Sequence, residues 1–322
     1  MIRPHSSARV LLTVFASMLV LLSGHAGAQL SEPVTQISGG QYFACALTTS
    51  GGVKCWGDNH DGQLGDSSNS DRPIPVDVKG VGGVGLLSGI AAISAGGSTF
   101  IRSNHSCALT TSGGVKCWGG NQDGQLGDNS TFDSLTPVDV VGMSTGVVAI
   151  SAGSSHTCAL TTGGGVKCWG RNTEGQVGDG SALQRETPVD VSGLTSGVSA
   201  ISAGAYETCA LTTAGGMKCW GRNVFGQLGD GSVLQRNAPV DVSGLTSGVL
   251  AIAAGNQTTC AVTSAGGAKC WGDNLYGQIG DGTTAPRHTP VDVSGLTSGV
   301  VRLANSAGSE HSCALMTSGG MK

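Results

Sequence analysis

The sequence predicts an all-β protein, a β-propeller built from four-stranded blades, on three observations. Ten of the eleven cysteines fall in pairs ten residues apart, at 45/55, 107/117, 158/168, 209/219 and 260/270. Successive first cysteines are 62, 51, 51 and 51 residues apart, and a lone Cys313 follows after 53 more, so a unit of about 51 residues recurs. Each unit offers about four short strand-like runs between glycines, and no run of period 3.6 follows the first 28 residues. A small twisted sheet cannot bury both faces alone, so repeated sheets must stack on one another. Helical repeats are excluded. A parallel β-helix is the competing architecture, but its turns are usually much shorter than this unit.

Met1 to Arg9 carries Arg3 and Arg9 without an acid, Val10 to Leu22 is uncharged, and Ala26-Gly27-Ala28 offers small residues for cleavage. Residues 1–28 are therefore expected to be a secretory signal peptide, and no later segment could span a bilayer as a helix. The mature chain is expected in an oxidising space, secreted or in the periplasm or at the surface of a bacterium, with 29–36 as a short linker. Loss of the signal leaves 15 basic against 21 acidic residues, a charge of −6, which argues against nucleic-acid binding. The 55 glycines follow no Gly-X-Y period, so collagen is excluded and frequent turns are implied.

Within a unit, as in Ala200 to Gly248, Val-x-Ala-Ile leads to Thr208-Cys209-Ala210-Leu211-Thr212, a Gly215-Gly216 turn and Lys218-Cys219-Trp220-Gly221. This is a hairpin, and Pro239-Val240-Asp241-Val242 supplies a further strand. The first unit is longer because Gly80 to Gly89 and Gly97 to Asn104 read as loop extensions. With the first hairpin centred near Ser50, residues whose numbers sum to 100 oppose each other, setting Cys45 against Cys55 and Leu47 against Val53. Opposed cysteines lie within disulfide reach, so five disulfides are expected: Cys45–Cys55, Cys107–Cys117, Cys158–Cys168, Cys209–Cys219 and Cys260–Cys270. Structural zinc is disfavoured, because the pairs lack Cys-x2-Cys spacing and the residue two before each first cysteine is His105, His156 and His311 but Phe43, Glu207 and Thr258 elsewhere.

Trp56, Trp118, Trp169, Trp220 and Trp271 each follow a second cysteine, point to the opposite face and are expected to pack between blades. The recurring Asn59-x-x-Gly62-Gln63-Leu64-Gly65-Asp66 is turn chemistry; its acids do not form the alternating calcium ladder. The variable pair inside this motif, His60-Asp61, Gln122-Asp123, Thr173-Glu174, Val224-Phe225 and Leu275-Tyr276, is the candidate partner-binding rim. Phe225 and Tyr276, 51 residues apart and so on adjacent blades, are the candidate anchors. No catalytic, metal or cofactor-binding constellation stands out.

The string Cys-Trp-Gly-x-Asn-x-x-Gly-Gln-Leu-Gly-Asp, preceded by His-Thr-Cys-Ala-Leu-Thr-Thr as at His156 to Thr162, resembles the regulator of chromosome condensation repeat over residues 37–322. The resemblance implies a propeller, typically of seven blades, that works chiefly by binding proteins. Known members include a nuclear guanine-nucleotide exchange factor on chromatin and secreted bacterial inhibitors of β-lactamases. Seven units would need about 357 residues, and the chain stops one residue short of a partner for Cys313, so a truncated sixth unit of a longer reading frame is expected. The resulting expectation is a secreted binding scaffold for a protein or envelope ligand, without catalysis or cofactor. The alternatives are an extracellular glycan-active enzyme and, by family analogy alone, a nucleotide-exchange factor.

Overall fold

The computed structural model describes residues 32–97, 103–304 and 311–322. The expected signal peptide, residues 29–31 and most of the second loop extension lie outside the described residues. Blade one is the antiparallel meander β1 (Val34–Gly39), β2 (Phe43–Thr48), β3 (Val53–Gly57) and β4 (Arg72–Asp77), hydrogen-bonded in that order. Four more four-stranded sheets repeat this order, and a sixth contributes two strands, Val300–Ala304 and Cys313–Met316. The first strand begins at Val34, three residues ahead of the expected repeat start, so 34–36 belong to the blade and not to a linker.

The first strands of successive blades lie side by side around the axis, as Ser38, Ser94, Ser151, Ser202 and Ala254 around one shallow central cavity show. Small residues there let six strands converge. The hairpin register follows the sum-of-100 rule, with Ala44 opposite Trp56, Cys45 opposite Cys55 and Leu47 opposite Val53. All five expected disulfides are present, with Cα separations of 4.1 Å, closer than ordinary cross-strand pairs. The long Gly80–Gly89 linker forms a short 3-10 turn, Val81–Gly83, closed by a Lys79–Leu86 bridge.

The core lies between blades. Trp118, Trp169, Trp220 and Trp271 are fully buried, and each indole N–H donates to the preceding blade's glutamine carbonyl, Gln63, Gln125, Gln176 and Gln227, at 2.9 Å. Ser106, Thr157, Thr208 and Thr259 donate their hydroxyls to the same four carbonyls. Trp56 departs from the expectation. It is only half-buried, because no blade precedes the first among the described residues. Near the axis, Ser38, Ser94, Ser151 and Ser202 each accept the next blade's backbone N–H at 2.9 Å, from Ala95, Ala152, Ala203 and Ala254.

Candidate binding rim

Strand direction puts the loop between first and second strands and the loop between third and fourth strands at one end of the propeller. Backbone bonds tie the two together in five blades: Asp58 to Tyr42, Gly120 to Asn104, Arg171 to Ser155, Arg222 to Tyr206 and Asp273 to Gln257, each N–H donating at 2.8–2.9 Å. The Asn-x-x-Gly-Gln motif builds the second loop from inside. Asn59, Asn121, Asn172, Asn223 and Asn274 are fully buried, and their side-chain oxygens accept the N–H five residues on. Their Nδ2 groups donate to carbonyls later in the loop, including those of Ser70, Leu183, Leu234 and Ala285. A buried amide with its partners in place fixes the loop whatever its tip carries.

Each loop leans on the following blade. The glycine of the motif abuts the next fourth strand, where a Cβ on Gly62 would come within 2.5 Å of Leu135 and one on Gly175 within 2.4 Å of Asn237. Arg72, Arg185, Arg236 and Arg287 pair with Asp66, Asp179, Asp230 and Asp281 of their own loops. Burial opposes ionisation of these four carboxyls, but hydrogen bonds from the adjacent Ser or Thr and from the arginine outweigh it and hold their pKa values down.

The expected rim pairs do not behave alike. In each pair the first residue, His60, Gln122, Thr173, Val224 or Leu275, is exposed. The second donates its N–H to the motif glutamine side chain at 2.9–3.0 Å in all five, Asp61, Asp123, Glu174, Phe225 and Tyr276, and its side chain is buried or half-buried in all but Tyr276. Asp61 is therefore no rim residue: it is 5% exposed and accepts the Asn104 N–H. Asp123, Glu174 and Phe225 are half-buried, and burial raises the Asp123 pKa. Phe225 and Tyr276 occupy equivalent loop positions but are not an equivalent pair, since Tyr276 is 75% exposed.

Sequence reasoning missed a stronger row. Phe132, Leu183 and Leu234, each 51 residues from the next, stand at one loop position in blades two, three and four and are 80%, 66% and 61% exposed. Their signal was there: an apolar residue two places after the loop serine, where blade one has Ser70 and blade five Ala285. No catalytic arrangement is assembled among the described residues of this end. Asp58, His60 and Asp71 are the one group there with metal-ligating spacing.

Sheets stacked in this way, each with an internally bonded loop and a variable tip, define a repeat β-propeller. The chain belongs to the RCC1-like domain family, whose profile matches residues 24–321. It is 35% identical over 288 residues to the human E3 ubiquitin-protein ligase HERC2, covering 87% of this chain and 6% of that protein. It is 31% identical over 269 residues to the ultraviolet-B receptor UVR8 of Arabidopsis thaliana, covering 82% of this chain and 58% of the receptor. The chain thus spans a small part of one relative and little over half of the other. Among solved structures, human WBSCR16 is 25% identical with a TM-score of 0.76, covering 91% of this chain and 76% of that one. Prp20p of Saccharomyces cerevisiae, whose structure was described with its binding to Gsp1p and histones, has the same fold at 23% identity and a TM-score of 0.70, covering 89% and 70%.

Proposed function

We propose that the chain is a secreted, non-catalytic scaffold that binds a protein partner through the rim of its third-to-fourth strand loops. The observation that carries this reading is the row of exposed Phe132, Leu183 and Leu234 at one loop position of three successive blades, with Val224, Leu275 and Tyr276 also exposed on the third-to-fourth strand loops. Apolar side chains held outward at one position on three successive blades do nothing for their own loops, whose hydrogen bonds are made by backbone and buried amides. Clustered exposed apolar groups on rigid loops are what an interface core requires. Secretion is supported by five disulfides, which persist in oxidising compartments, together with the amino-terminal signal-like sequence. Among the described residues no helix is long and apolar enough to cross a membrane.

The test is capture of envelope and culture components on the immobilised chain, followed by Leu183→Asp with Leu234→Asp. Loss of about tenfold or more in affinity for a captured protein, with all disulfides retained, is the expected result. An unchanged affinity places the interface elsewhere.

A further inference from the structure

One spot on the rim departs from the repeat in a way the loop does not need. Asp58, His60 and Asp71 of blade one bring two carboxylate oxygens and an imidazole nitrogen within 4.8 Å of one another. His60 Nδ1 lies 2.5 Å from Asp58 Oδ1 and 3.5 Å from Asp71 Oδ1. The equivalent residues are Gly120, Gln122 and Asp133 in blade two, Arg171, Thr173 and Gln184 in blade three, Arg222, Val224 and Gln235 in blade four, and Asp273, Leu275 and Pro286 in blade five. Asp133 accepts the Asn121 N–H as Asp71 accepts that of Asn59, and Asp273 accepts the Gln278 amide as Asp58 accepts that of Gln63, so the two aspartates serve the loop frame as well. What blade one alone adds is both carboxylates in one loop with an imidazole, His60, set between them.

The ligands are braced from behind. Asp58 Oδ2 accepts from Gln63 Nε2 at 2.6 Å and from Asn104 Nδ2 at 3.3 Å, and both amides are buried, which turns Oδ1 outward to His60. Asp71 is held across the loop by the Asn59 N–H, at 2.9 Å. Outer groups that orient a carboxylate in this way are a regular part of metal sites. We propose that Asp58, His60 and Asp71 bind a divalent transition-metal ion of the zinc class on the rim of blade one. This goes beyond partner binding and does not depend on it. In a tetrahedral site with bonds near 2.0 Å the donors lie about 3.3 Å apart. The His60–Asp71 separation of 3.5 Å is close to that, while His60 and Asp58, hydrogen-bonded at 2.5 Å, have to part by about 0.8 Å as an ion replaces the shared proton. Imidazole beside two carboxylates favours zinc-class ions, whereas calcium takes six or more oxygens that three residues do not supply. The His60 and Asp71 side chains are 58% and 57% exposed, so the outward coordination positions face solvent, open to water or to a donor from another molecule.

The bland reading of the same atoms is a protonated His60 bridging two carboxylates, and it needs no ion. Calorimetric titration with zinc chloride separates the two, using the disulfide-bonded chain with Cys313→Ser so that the exposed thiol does not compete. One zinc per chain is expected, with at least tenfold weaker binding in His60→Gln and in Asp71→Asn and no competition from excess calcium. Gln is the type blade two carries at that position, as Gln122, so this variant retains the loop. No zinc binding, or equal binding by His60→Gln, overturns the proposal. Partner capture by the Phe132–Leu183–Leu234 row is read separately, with and without chelator, so failure of one reading leaves the other standing.

Discussion

His105, His156 and Glu207 occupy one position in three successive blades, two residues before the first cysteine, and all are fully buried. His156 Nε2–H donates to Thr208 Oγ1 at 2.8 Å, because that hydroxyl gives its own proton to the Gln176 carbonyl. Burial, opposed only slightly by the Ser103 carbonyl, lowers His105 to about 4, and burial together with the neighbouring His105 lowers His156 to about 3. Unfolded histidines take up protons near pH 6.5, before the folded ones do. Stability should therefore be lost as pH falls from about 6.5 towards 4, and His105→Gln with His156→Gln should flatten that slope in urea midpoints. Glu207 has the opposite sign. Burial pushes its carboxyl up to about 8, with Oε1 lacking a partner, so the folded chain holds a proton that the unfolded chain sheds near 4.5. Stability declines as pH rises between those two values, and Glu207→Gln should remove the decline. A variant with the slope unchanged would show Glu207 ionised in the folded chain. Thiol counting in denaturant without reductant should find one thiol, on Cys313.

At the scale of the element, the junction between a loop and the next tryptophan is the sensitive point. A Cβ on Gly127, at φ +71°, would lie 2.7 Å from Trp169 Nε1, whereas one on Gly142, at φ +70°, would meet nothing within 4 Å. Gly142→Ala carries only the left-handed strain, about 1 kcal/mol, while Gly127→Ala adds a clash and should cost clearly more in denaturant midpoints. Equal costs would show that the indole moves aside. Hairpins, disulfides and their register were legible in the sequence because they are local: a glycine turn fixes who faces whom, and Cys-x9-Cys confirms it. The inward turn of Asp61 was not legible, because it depends on the Gln63 side chain and on Asn104 of the next blade. The serine bonds between first strands were hidden for the same reason, since a serine 52–58 residues from its donor leaves no local trace. Lys54–Asp77 and its four copies recur 23 residues apart and could have been found by spacing alone, though exposed pairs of this kind contribute little.

Across the whole molecule, four blades are sealed against their successors by the tryptophan and serine bonds, while among the described residues the first keeps a bare face. Ile37 is 63% exposed where its counterpart Ile93 is 4% exposed, and Trp56 is half-buried where four equivalents are fully buried. Residues 29–322 alone should therefore self-associate with rising concentration in light scattering, and Ile37→Ser should reduce it. A compact monomer at all concentrations would mean that this face is covered from within. The seals also have a direction. Blade one offers the carbonyl of Gln63 and the hydroxyl of Ser38, and blade two fills both; blade two then offers Gln125 and Ser94 to blade three. Each unit is the mould for the one behind it. A chain that leaves a narrow pore amino end first presents every mould before the segment that fits it, so such a propeller can grow by addition at a finished edge, without waiting for its tail.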